Sequence, residues 1–132
     1  MSGARRVLLL EPDPDLRAVL RALCADAAFE VVVCSSLLEV LARAESVRGE
    51  VAVVDVCCAG DPLLERRARV GLRCVGGLLP LVVLTDRAWA SAGEPGDIGA
   101  LAVLLKPVSL ESLLGELHEA SRARIVQGIC SR

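Results

Sequence analysis

Apolar residues fall along this chain in two patterns, short unbroken runs and helical stripes. Runs rich in Val and Leu occupy 8–10, 30–34, 51–54, 81–84 and 101–105, each too short for a helix and suited to a strand buried on both faces. Stripes lie between them. Asp13-Pro14 reads as a helix start, an acceptor side chain at the N-cap and proline at the first helical position, and Leu16, Val19, Leu20 and Leu23 then repeat at i, i+3, i+4 and i+7. Ser36 with Glu39 makes a capping box opening a second helix through Val47. Gly60 and Pro62 signal a loop, and Asp61-Pro62 starts a third helix ending before Gly76-Gly77. Gly93, Pro95, Gly96 and Gly99 break up the next connection, which leaves a fourth helix short or irregular. Ser109 caps a last helix with Leu110, Leu113, Leu114 and Leu117 on one stripe, and Gly128 is expected to end it.

Five strands alternating with about five helices predict an α/β fold: a doubly wound, five-stranded parallel sheet with right-handed crossovers and helices on both faces. The order 2-1-3-4-5 would set the first and third strands side by side at the switch point. At 132 residues the chain is read as one domain, with its core over about 7–121 and with 122–132 as a tail or the end of the last helix.

Composition narrows the picture. The chain is 54% hydrophobic but only 2% aromatic, so the core must be built from Val, Leu and Ala. A net charge of -2 gives no basic surplus for direct nucleic-acid binding, and Arg66, Arg67 and Arg69 read as a solvated helix face. Six cysteines without a C-x-x-C spacing, several inside apolar runs, argue for reduced, buried thiols in a cytosol rather than for zinc or disulfides, with a redox role for Cys57 or Cys58 a minor alternative. No stretch approaches a membrane span or a signal peptide's apolar core, so a cytoplasmic location is expected. His118, beside Glu116 and Glu119, reads as solvated.

What each apolar run leads into carries the chemistry. The first runs into Glu11-Pro12-Asp13, the third into Asp55, the fourth into Thr85 and the fifth into Lys106-Pro107. In a parallel sheet these carboxyl ends share one edge, where open α/β folds hold ligands. A carboxylate there can accept a phosphoryl group if in-line access, a cation and fixed donors are supplied. Asp55 is the candidate acceptor, while Glu11, Asp13 and Asp55, with the Cys57 carbonyl, are candidate ligands for Mg²⁺. Lys106 would pair with one phosphoryl oxygen. Thr85 would hydrogen-bond another, its rotation toward the added charge reporting occupancy to the surface.

These residues, in this order at strand ends, resemble the receiver domains of two-component response regulators, over about Val7 to Ser121. The resemblance implies a flavodoxin-like (βα)5 fold without enzymatic turnover of its own, and a magnesium-dependent transfer to Asp55 from a histidine kinase or phosphotransfer protein. It also implies a downstream protein target or output domain, a second copy of the chain as a candidate partner, and Pro107 as a candidate cis-proline. The signalling face would include Trp89 and Val103.

The chain departs from that pattern at three places. Pro12 stands where a second acid usually ligates the metal, Asp86 where a small residue usually follows the Thr, and Val103 where an aromatic residue usually swings. These departures motivate a second reading, a phosphorylation-independent module that keeps the fold for protein interaction. A flavodoxin-like enzyme or cofactor binder ranks below both, because no glycine-rich phosphate loop follows the first strand.

Overall fold

The computed structural model describes residues 5–46, 51–56, 61–85 and 94–130. Strands β1 (Arg5–Leu10), β2 (Phe29–Val33), β3 (Val51–Asp55), β4 (Leu81–Thr85) and β5 (Ala102–Leu105) form one parallel sheet in the order β2-β1-β3-β4-β5. The helices are α1 (Pro14–Asp26), α2 (Leu37–Ser46), α3 (Pro62–Gly76) and α4 (Leu110–Cys130), with a 3₁₀ turn over Pro95–Ile98 before β5. This is the doubly wound order expected. Cys57, Cys58, Gly60, Asp86 and Trp89 lie outside the described residues.

Side chains alternate across the sheet, as strand geometry demands. Leu8, Leu10, Ala52, Val54, Leu81 and Val83 pack on one face with Val40 of α2 and Leu72 and Val75 of α3. Val7, Leu9, Val51, Val53, Val82 and Leu84 pack on the other with Leu20 and Cys24 of α1 and Leu113, Leu117 and Ala120 of α4. The three central strands are therefore apolar on both sides, which explains their unbroken hydrophobic runs.

Local signals place the helix starts. The Asp13 Oδ1 accepts from the backbone N–H groups of Asp15 at 2.9 Å and Leu16 at 3.4 Å, and Asp61 does the same for Leu63 and Leu64. Ser36 Oγ accepts from the Glu39 N–H at 3.0 Å, while Glu39 reaches back to the N–H of Ser35 at 2.7 Å, one residue earlier than a strict box.

Some expectations need correction. Val19 and Leu110, placed on apolar stripes by spacing, are 46% and 44% exposed, because the buried faces centre on Leu20 and Cys24 in α1 and on Leu113 and Leu117 in α4. Helix α4 does not stop at Gly128; one glycine costs about 1 kcal/mol in a helix, too little to end a helix this long.

The approach to β5 is set by a contact only glycine permits. A Cβ on Gly76 would sit 2.0 Å from the Gly99 carbonyl oxygen, and Gly99 itself adopts a φ of 75° against the backbone of Arg73. Arg73 Nε donates to the Asp97 carbonyl at 2.9 Å. Ile98 and Ala100 then enter the core beside Leu72 and Val75, and β5 begins two residues later.

Candidate functional site

Strand register determines which side chains meet at the carboxyl edge. Leu10 pairs with Val54, so Glu11 follows beside Asp55; Asp55 pairs with Leu84, so Thr85 comes next; Thr85 pairs with Leu105, so Lys106 follows. Alternation then sorts the faces. Glu11, Asp55 and Lys106 continue the parity of Leu9, Val53 and Leu104, while Thr85 continues that of Leu81 and Val83 on the opposite side.

The three same-face residues form one ionic group. Lys106 Nζ donates to Asp55 Oδ2 in a very close contact and to Glu11 Oε2 at 3.0 Å. Glu11 Oε1 is 2.9 Å from the same nitrogen, oriented so that it accepts no hydrogen bond. Oε2 also takes the Asp13 N–H at 3.1 Å, and the Glu11 carbonyl accepts from Arg17 Nη1 at 3.3 Å. Sequence pattern does not single out Arg17; the only trace of it is a basic residue one turn after the N-cap.

Burial explains why the two carboxylates share one cation. The Glu11 side chain is wholly buried and that of Asp55 10% exposed, so each carboxylate has lost most of its water and needs a nearby cation. Burial alone pulls the Lys106 pKa down, but hydrogen bonds and charge from Asp55 and Glu11 outweigh it, and the net displacement is upward. Thr85 is buried, and its carbonyl accepts the Lys106 N–H at 2.8 Å, tying β5 to β4 just beneath the ammonium. The Lys106-Pro107 peptide bond is cis. Val103 is partly buried against the α2/α3 side of the core. Asp13 lies at the edge of the group, its Oδ1 turned to the start of α1.

No protein-family model and no curated protein matches the chain by sequence. Solved structures do match by shape. The chemotaxis response regulator CheY4 of Vibrio cholerae is 25% identical with a TM-score of 0.67, over 89% of this chain and 98% of that one. A CheY-like response regulator receiver domain protein from Methanospirillum hungatei JF-1 is 18% identical with a TM-score of 0.71, over 95% and 99% of the two chains. An adenylate cyclase structure from Rhodopirellula baltica is 20% identical with a TM-score of 0.73, over 97% and 95%. The fold and its strand order thus define an open, doubly wound α/β domain of the flavodoxin-like class. Within that class it is the receiver-domain fold of response regulators, in an atypical sequence.

The receiver fold brings the question of a magnesium ion to this edge. The residues present do not fit a resident one. Pro12 has no side-chain oxygen, the Asp13 Oδ1 serves the helix start, and Glu11 and Asp55 are both held by the ammonium. Among the described residues no group of three or more ligating side chains forms a cation site.

Proposed function

We propose that the domain is a cytoplasmic receiver module that accepts a phosphoryl group on Asp55 from a histidine kinase or phosphotransfer protein and passes the signal on by docking to another protein. The observation that carries this reading is the meeting of Asp55 with a lysine from a strand end 51 residues away, at the carboxyl edge of the sheet. In the transfer, a carboxylate oxygen of Asp55 attacks phosphorus in line with the donor imidazole nitrogen. The O–P bond forms as the N–P bond breaks, and the imidazole takes up a proton. Lys106 moves from the carboxylate to the phosphoryl oxygens, whose added charge it neutralises. Thr85, whose side chain continues the opposite face, is coupled to the site through its backbone bond to Lys106. The domain then changes its binding surface around β5, where Leu101 and Leu105 are exposed, without turnover of its own.

The grip of one ammonium on both carboxylates, with Pro12 between Glu11 and Asp13, favours a second reading: the fold persists as a phosphorylation-independent interaction module. Acetyl phosphate with and without Mg²⁺, read by intact mass, separates the two. A single phosphoryl adduct lost in Asp55→Asn supports the first reading. An unmodified protein under all conditions, including a panel of histidine kinases, leaves the second.

A further inference from the structure

We propose that the Lys106 ammonium is the resident cation of this site, and that a divalent ion enters only in exchange for it. Three observations carry this. The ammonium lies within hydrogen-bonding distance of both carboxylates, the place an ion bridging Glu11 and Asp55 would have to take. Glu11 Oε1, fully buried beside it, accepts no hydrogen bond from the described residues, so among them it is held by the charge of the ammonium 2.9 Å away. And the lysine is tethered there by its backbone bond to Thr85, so it competes intramolecularly, at an effective concentration a free ion must match. With the lysine removed, two desolvated carboxylates would face each other without a cation, which is the charge and oxygen complement that Mg²⁺ takes from proteins.

The proposal stands on the ion geometry whether or not Asp55 is phosphorylated, and its test contains no phosphodonor. MgCl₂ is titrated calorimetrically into the parent chain, Lys106→Met and Lys106→Met/Glu11→Gln, and thermal melts of each are recorded with and without millimolar Mg²⁺. The parent should give no binding heat and an unchanged melt. Lys106→Met should bind Mg²⁺ roughly tenfold more tightly or better and melt higher in its presence. The double variant should lose that gain. Parent binding as tight as in Lys106→Met would overturn the proposal, as would a folded Lys106→Met that ignores Mg²⁺ or a double variant that keeps the gain. If Lys106→Met folds in neither buffer, Lys106→Gln takes its place, and the same outcomes support or overturn the proposal.

Discussion

Substituting Gly76 by alanine sets two known effects against each other. In an unobstructed helix, Gly→Ala stabilises by about 0.5–1 kcal/mol through lost unfolded-state entropy. At Gly76 the new Cβ would lie 2.0 Å from the Gly99 carbonyl oxygen and 2.8 Å from its carbonyl carbon. Backbone cannot rotate aside as a side-chain tip can, so α3 and the turn must part by about 1 Å, carrying Ile98 and Ala100 out of their packing; overpacking of this kind costs about 1–3 kcal/mol, here at the upper end. The net expectation is a loss of about 2 kcal/mol, or roughly 6–10 °C in melting temperature for a chain of this size. Two other glycines calibrate the measurement. Gly115→Ala in α4, where a Cβ meets nothing within 4 Å, should raise stability by about 0.5–1 kcal/mol. Gly71→Ala, whose Cβ meets only the Leu37 side chain, should fall between them. Chemical denaturation of the three variants decides. Gly76→Ala as stable as the parent, or Gly115→Ala the worst of the three, would refute the close-approach argument. Because β5 follows this contact, Gly76→Ala should also loosen Lys106, visible as faster amide exchange at Lys106.

Other consequences are as direct. Asp13→Ala should cost about 1 kcal/mol from the lost cap, with Asp13→Asn restoring most of it; an Asn variant as unstable as the Ala variant would deny the capping role. Burial pushes the Cys24 thiol from 9.0 up to about 11, so its neutral form is favoured in the fold; that stabilisation is complete below pH 9.0, fades as pH rises through about 11, and should be absent from the denaturation profile of Cys24→Ala. A thiol reagent on the native protein should label exposed Cys74 well before buried Cys24, checked by peptide mapping. The Lys106 pKa is raised in the fold, so its ionic contribution is full below the ordinary lysine value of 10.5 and is lost only above it, a step that Lys106→Met should erase in alkaline melts.

Much of the candidate site was legible because its parts sit at element ends, where local chemistry marks them. Asp55, Thr85 and Lys106 each close an apolar run, and a buried run that ends in a polar residue points to the sheet edge. The division of labour among the acids was not legible. Glu11 and Asp13 look equivalent in sequence, yet the first directly follows β1 and is buried beside Lys106, while the other lies past Pro12 as the N-cap that completes the first turn of α1. Thr85 belongs with Lys106 by sequence order but lies on the opposite face by alternation, and its described contact with Lys106 is through the backbone.

The sequence alone determined the kind and succession of elements, because periodicity, caps and breakers act over a few residues and need no partner from elsewhere in the chain. It also determined that acids and a lysine would gather at one edge, since parallel strands can only end together. The tertiary structure decided which atoms touch. The Lys106–Glu11 contact spans 95 residues of sequence, and the Gly76–Gly99 approach joins a helix to a turn that local propensity treats as unrelated. Such pairings depend on register and on the displacement of water from buried charge, and these exist only once the sheet has assembled.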